Sequence, residues 1–159
     1  MDAIVAVYSD WGIGSDGTQP VVLKADRKRF VELTRGRTVI VGRRTLGDFP
    51  GGRPLKGRRN IIVTRQSITV DGAEIAHSVE EAVSLCGDGA MVLGGQSVFR
   101  DFMPHIDRVF VTKIMCRPKS DSYFENLDES PYWRVADPGE PMHEGNIEYR
   151  FMCYERIKP

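Results

Sequence analysis

Short apolar runs alternating with segments of helical period constrain this chain more than any other feature. Residues 3–8 (Ala-Ile-Val-Ala-Val-Tyr) are continuously apolar, the pattern of a strand buried on both faces. Similar runs recur at 37–42, 60–64 and 90–93, with a further strand at 108–114 and a short candidate at 73–76. Between them lie helical patterns at 24–35, where Leu23, Phe30 and Leu33 share a face, at 79–85 and at 97–102. A short helical start follows the second strand at Arg43-Arg44-Thr45, and Ser78 stands where an N-cap is expected. Strands separated by helices are joined by crossovers, and crossovers make parallel sheets. The last strand segments, 133–135 and 148–156, have no helix between them and are expected to form an antiparallel edge. The expected fold is α/β: a central, mostly parallel sheet of about eight strands with an antiparallel C-terminal edge, flanked by about four helices. No repeat or Gly/Ser linker divides residues 1–159, which are expected to form a single domain.

Charge narrows the class of function. Lys plus Arg equals Asp plus Glu, 22 each in 159 residues, whereas nucleic acid and anionic membranes call for a basic excess. No apolar run approaches a membrane span, and Met1-Asp2-Ala3-Ile4 lacks the basic start of a secretory leader. Cys86, Cys116 and Cys153 show no C-x-x-C spacing, and His77, His105 and His143 are scattered. No disulfide framework or metal site is expected, and a cytoplasmic location fits. No G-x-S-x-G elbow or Ser/His/Asp spacing supports a nucleophile.

Asp26 is the most informative residue. It lies four before Phe30 and seven before Leu33, which puts its carboxylate on the apolar stripe of the first helix. A carboxylate there is costly unless hydrogen-bonded or paired. It either caps the first turn, where acids suit the macrodipole, or serves a site; periodicity leaves both open. Gly94-Gly95 joins a buried strand to a helix, a place where glycines turn tightly or let a phosphate approach the backbone. The full G-x-G-x-x-G fingerprint is absent. Gly42-Arg43-Arg44-Thr45 places two cations against the macrodipole of a helix start, which makes sense if an anion binds there. Thr64-Arg65 closes the next strand with a similar pair. Two such strand ends suit a phosphorylated cofactor lying across the carboxyl edge of the sheet; solvated arginines are the simpler alternative. The basic stretch 24–37 is otherwise a solvated helix face, although Arg27 borders the apolar stripe.

Together these segments resemble bacterial-type dihydrofolate reductase nearly end to end. The resemblance rests on Ile4-Val5-Ala6, Ile13-Gly14, Leu23-Lys24-Ala25-Asp26, Phe30, Val41-Gly42-Arg43-Arg44-Thr45, the run from Arg53 to Ile62, Val92-Leu93-Gly94-Gly95, Thr112 and Asp121-Ser122-Tyr123-Phe124, in order and spacing. It implies a dihydrofolate reductase-like fold, NADPH as cofactor, and dihydrofolate and antifolates as small-molecule ligands. It further implies a monomer acting in one-carbon metabolism and thymidylate synthesis.

The implied roles follow residue by residue. Asp26 would bind the pterin's 2-amino group and N3, with Thr112 orienting it. Ile4, Val5, Ala6, Phe30, Leu55, Leu93 and Phe99 would form the pterin and benzoyl pocket. Arg58 would hold the substrate's α-carboxylate, with Arg27 beside the tail. Arg43, Arg44, Thr45, Thr64 and Arg65 would surround the cofactor phosphates. Ala6, Ile13, Gly14, Gly42, Val63, Gly94, Gly95, Gln96, Ser97 and Val98 would complete the cofactor site, with a cis bond between Gly94 and Gly95. The loop 9–20 would be a lid over the nicotinamide.

Gln19, Val21, Arg27, Leu46 and Ser97 depart from the family pattern. Arg27 either adds a cation to a normally apolar pocket, disfavouring tail-less inhibitors such as trimethoprim, or snorkels to solvent with only its stem packed. Burial would raise the Asp26 pKa and a nearby cation such as Arg27 would lower it, and the sequence leaves that contest open. The alternatives are a pyrimidine reductase of riboflavin synthesis, which shares fold and cofactor, and a binding or structural protein that retains the fold.

Overall fold

The computed structural model describes residues 1–15 and 19–157. Among them one sheet of nine strands dominates. Strand β1 (Asp2–Tyr8) lies at its centre, followed in the chain by the short β2 (Gly12–Gly14) and helix α1 (Lys24–Thr34). Then come β3 (Thr38–Gly42), α2 (Arg43–Gly47), β4 (Arg59–Val63) and β5 (Ala73–Ala76). Helix α3 (Val79–Cys86), β6 (Met91–Gly94), α4 (Gln96–Phe102) and β7 (Arg108–Ile114) continue the alternation. The chain finishes with β8 (Ser122–Tyr123), β9 (Trp133–Asp137), β10 (Met142–Glu144) and β11 (Ile147–Arg156).

The spatial order is β10-β11-β7-β1-β6-β3-β4-β5, with β9 also on β11. From β7 to β5 every pairing is parallel, and β11 turns the edge antiparallel against β7, β9 and β10. The mostly parallel sheet, its antiparallel C-terminal edge and the four helices are as the alternation implies. Successive side chains on a strand point to opposite faces, so each central strand feeds two apolar layers. Ile4, Val39 and Met91 pack under Phe30 and Leu33 of α1, and Val41 and Ile62 under Leu46 of α2. Ala3, Val5, Ile40, Ile61 and Val92 face the other way, onto Ala82 of α3 and Val98, Phe99 and Phe102 of α4. Covering both faces explains why these strands are apolar without alternation.

Three short strands escape the sequence pattern. Gly12–Gly14 pairs antiparallel with Ser122–Tyr123 in a separate two-stranded sheet, and Met142–Glu144 forms a hairpin with β11. All three are too short and too polar or glycine-rich to show a period.

Helix ends are capped in two ways. Ser78 accepts from Glu81 N at 3.0 Å, as its position suggests, and Glu81 accepts from His77 N at 2.9 Å. Helix α1 begins after Leu23, which has no capping side chain. Its first amides are met instead from β10: Glu144 accepts from Lys24 N at 2.9 Å and Ala25 N at 3.1 Å. These two backbone bonds hold the Glu144 carboxyl below the usual carboxylate range. A depressed folded-state pKa adds stability that is present above the unfolded carboxylate value and fades as pH falls through the folded one. Glu144→Gln is therefore expected to lower the Tm at neutral pH, with the gap to wild type closing in acid; thermal melts across pH check this.

Candidate functional site

The site begins with a parting of strands. β1 keeps register with β7 from Asp2↔Arg108 to Tyr8↔Ile114, but with β6 only at Asp2↔Met91 and Ala3↔Val92. Beyond Ala3 no pairing joins the two parallel neighbours, which leaves the carboxyl end of the sheet between Ile4–Tyr8 and the end of β6 as the candidate cleft. Ligands in open α/β sheets sit at such ends.

Asp26 stands on the α1 side of this cleft, mostly shielded from solvent. Thr112, fully buried on β7 opposite Ala6, donates from Oγ1 to Asp26 Oδ1 at 2.6 Å. Among the described residues no protein donor reaches Oδ2. Burial pushes the Asp26 carboxyl above the usual carboxylate range, against the opposing pull of the Thr112 hydrogen bond and the Arg29 charge. Periodicity left a capping acid and a site acid as alternatives; the bond to Thr112, across to the sheet, favours the second.

Ile4, Phe30 and Leu93 belong to one apolar cluster beside Asp26, whereas Val5 and Phe99 lie in the layer across the sheet. Leu55 and Arg58 come from the loop before β4. That loop is held by buried Asn60, whose Oδ1 accepts from Leu55 N at 3.0 Å and whose Nδ2 donates to the carbonyls of Leu55 and Arg58 at 2.9 and 3.0 Å. Arg58 donates from Nε and Nη2 to Thr34 Oγ1 at 3.2 and 3.1 Å, and from Nη1 to the Lys56 carbonyl at 2.6 Å. One N–H remains on each terminal nitrogen, free to meet a carboxylate.

The expected glycine turns are close approaches. A Cβ on Gly42 would lie 2.9 Å from Val98 Cγ2, one on Gly94 3.1 Å from Phe99 Cε2, and one on Gly95 3.1 Å from Thr45 Oγ1. Gly94 also has a φ of +125°, and the Gly94–Gly95 bond is cis. Only glycine lets the ends of β3 and β6 meet α4 and α2 this closely. Arg43 and Arg44 are exposed at the start of α2, and Arg43 donates to Gln66 Oε1 just past Thr64 and Arg65. Val63 ends β4, and the ring Nδ1 of His77 lies 2.9 Å from the Thr64 carbonyl. Gln96 Oε1 accepts from Tyr123 N at 2.7 Å, tying β8 to the exposed start of α4 beside Ser97.

The expected lid, 9–20, is described except for residues 16–18, which lie outside the described residues. Its ends are tied down. Ile13 and Gly14 belong to β2, Gly14 accepts from Asp121 N at 2.9 Å, and the Tyr8 hydroxyl meets both N and O of Val21 at 3.2 Å. Trp11 adopts a left-handed φ of 65°, held by an edge-on contact with Tyr154 at 5.7 Å and by Phe124 at 6.3 Å.

Arg27 requires a correction. It is exposed, and the recess beside α1 is lined by Lys28 and Arg29 instead. At 100° per residue the position after Asp26 turns away from the cleft, and the position three after it turns back. The cation acting on Asp26 is thus Arg29. Sequence patterns missed Thr34, Asn60, Glu144 and Arg29 because their roles depend on partners distant in the chain; the Asp26–Arg29 spacing of three was the one local signal.

A shielded acid beside parted parallel strands, with glycine turns at neighbouring strand ends, is the layout of a cofactor-dependent α/β enzyme. The family model described as dihydrofolate reductase matches residues 1–156. A dihydrofolate reductase of Staphylococcus haemolyticus is 32% identical over 159 residues, covering 98% of this chain and 95% of its own. That of Mycobacterium tuberculosis is 36% identical over 149 residues, covering 91% and 90%. The solved dihydrofolate reductase of Enterococcus faecalis, complexed with NADP(H) and RAB-propyl, superposes with a TM-score of 0.86 at 30% identity, covering 99% of this chain and 96% of its own. The chain belongs to the dihydrofolate reductase family and is an enzyme of that family. No helix among the described residues is long and apolar enough to cross a membrane.

The raised Asp26 pKa has a stability consequence. A carboxyl whose folded pKa lies above its unfolded value costs nothing below the unfolded value and costs stability once pH rises through the folded one. Asp26→Asn keeps an acceptor for Thr112 and removes the charge. It is expected to raise the Tm at neutral pH, roughly 2–4 °C for each kcal/mol gained, and to give no advantage in acid; melts of both proteins across pH decide this.

Proposed function

We propose that this chain reduces 7,8-dihydrofolate to 5,6,7,8-tetrahydrofolate with NADPH, acting as a single-domain, monomeric enzyme of the cytoplasm that supplies one-carbon metabolism and thymidylate synthesis. The observation that carries this reading is the shielded Asp26 carboxylate, held by Thr112 through one oxygen and with no donor among the described residues on the other.

The residues at the strand ends fit the cofactor. The glycines at 42, 94 and 95 let α4 and α2 close on the strand ends, and Arg43, Arg44, Thr45, Thr64 and Arg65 supply cations and hydroxyls there suited to the phosphates of a dinucleotide. Ala6, Ile13, Gly14, Val63, Gln96, Ser97 and Val98 complete the set. When bound, NADPH supplies the hydride that reduces C6 of the pterin.

The chain's own residues bind, orient and shield. Asp26 accepts hydrogen bonds from the pterin's 2-amino group and N3, and Thr112 keeps its carboxylate plane turned to that ring. The proton for N5 comes from water, and the negative charge of Asp26 polarises the ring to receive it. Ile4, Phe30, Leu55 and Leu93 form the apolar surroundings that fix the ring system, and Val5 and Phe99 back the strand ends from across the sheet. Arg58, preset by Thr34 and Lys56, takes the α-carboxylate of the tail through its remaining fork. Arg27, out in solvent, reaches only the outer end of the ligand. The lid excludes water while the reaction proceeds.

An optical assay of NADPH oxidation, with dihydrofolate and the deaminated pyrimidine of riboflavin synthesis offered separately, tests the assignment. Turnover with dihydrofolate alone is expected; turnover only with the pyrimidine, or with neither, overturns it. Asp26→Asn should cut kcat about a hundredfold at neutral pH and less in acid, where solvent protonates N5 without help. Arg58→Lys, which keeps the charge but loses the fork, should raise KM for dihydrofolate roughly tenfold with a smaller effect on kcat.

A further inference from the structure

Asp26 and Arg29 lie three apart on α1 and share a helix face. Thr112 and Phe151 lie directly opposite each other in the β7–β11 pairing, so their side chains share a sheet face. The helix pair and the strand pair meet. Thr112 holds Asp26 at 2.6 Å, and the Arg29 guanidinium sits 4.3 Å above the centroid of the Phe151 ring. Tyr149 packs edge-on against that ring at 5.3 Å and fixes it in turn.

Arg29 does not pair with the acid it faces. No ion pair within 4.0 Å joins it to Asp26, or to Glu32 three residues further on. It stays on the ring, half-buried in a recess lined by Ala25, Lys28, Glu32, Leu33 and Phe151. The ionisable groups around it are Asp26 and Glu32 on its own helix, Asp137 on β9 and Cys153 on β11, with Lys28 as the other cation of the recess. A guanidinium keeps its charge throughout the working pH range, and in partly dry surroundings that charge acts over several ångströms. Stacking on an aromatic face holds it without consuming the carboxylate's acceptor sites.

We propose that Arg29 is a positioning residue of the reaction: pinned on Phe151, it is a fixed cation that favours the ionised form of Asp26 without touching it, and so sets the pH range over which the enzyme turns over. Asp26 thereby stays charged in a shielded site while its free oxygen is left to the substrate. The direction agrees with the Arg29 charge opposing the effect of burial on Asp26. The proposal rests on Asp26 being the proton-linked group of the active site.

The test separates these two claims. The carbon-13 carboxyl signal of Asp26, assigned by its loss in Asp26→Asn, is titrated in the ligand-free enzyme, and kcat/KM is measured across pH. Arg29→Met keeps a flexible apolar stem on Phe151 and removes the charge; Arg29→Lys keeps the charge; Phe151→Leu removes the ring that pins it. Arg29→Met is expected to move the Asp26 midpoint to higher pH, Phe151→Leu to move it less, and Arg29→Lys to leave it near wild type. The ascending limb of kcat/KM should follow, so that the ratio of activity at about pH 8 to that at about pH 6 rises about threefold in Arg29→Met. An unmoved Asp26 midpoint in Arg29→Met overturns the proposal, as does an equal shift in Arg29→Met and Arg29→Lys, which would mark packing rather than charge. A midpoint that moves while the activity limb stays in place overturns Asp26 as the proton-linked group, and the pH-setting role falls with it.

Discussion

The hydrogen bond from Thr112 to Asp26 joins the first helix to the middle of the sheet, and much of the site follows from the charge it holds. A carboxylate taken out of water must recover its lost solvation from the protein or lose its charge. Here the recovery is deliberately incomplete: one hydroxyl on one oxygen, and a cation kept at a distance on an aromatic ring. A tight ion pair would satisfy Asp26 and leave nothing for a ligand. The remaining imbalance appears as a carboxyl pushed upward by burial, which marks a group poised to interact with something that arrives later.

The helix that carries Asp26 is held at both ends by residues far away in the chain. Glu144 caps its first turn from the C-terminal hairpin. Near its last turn, Thr34 donates to the Phe30 carbonyl at 2.7 Å and accepts from Arg58. The same helix therefore sets the distance between the acid at one end of the cleft and the arginine fork at the other. Asn60 fixes the loop that presents Arg58 by occupying its backbone groups. Rigid elements and buried hydrogen bonds thus place the polar groups of the candidate site, and the described part of the 9–20 loop is tied through Tyr8 to Val21 and through Gly14 to Asp121.

Much of this was legible in the sequence because its causes are local. Continuous apolar runs separated by helical periods specify strands covered on both faces and joined by crossovers. Ser78 and its helix start, Asp26 on the apolar stripe, and the Gly94–Gly95 turn each depend on spacing within a few residues. What stayed hidden depends on distant partners. The two-stranded β2–β8 sheet is too short for a period, and Glu144 looks like any acid in a polar loop. Asn60 sits in a matching segment but shows its role only when the loop folds back over it. Arg27 illustrates the limit most sharply. Adjacency in sequence suggested it as the cation beside Asp26, yet helix rotation turns it to solvent and brings Arg29 round instead.

By itself, then, the sequence determined the class of fold, the helix face bearing the acid, and the strand ends rich in glycine and basic residues, because hydrophobic period and backbone freedom are properties of short stretches. Only the tertiary structure decided where β1 and β6 part to make a cleft, which cation governs the acid, and which distant side chains cap and brace its helix. Those outcomes depend on strand order and register, which bring residues more than a hundred positions apart into hydrogen-bonding range, and no local pattern encodes such a meeting.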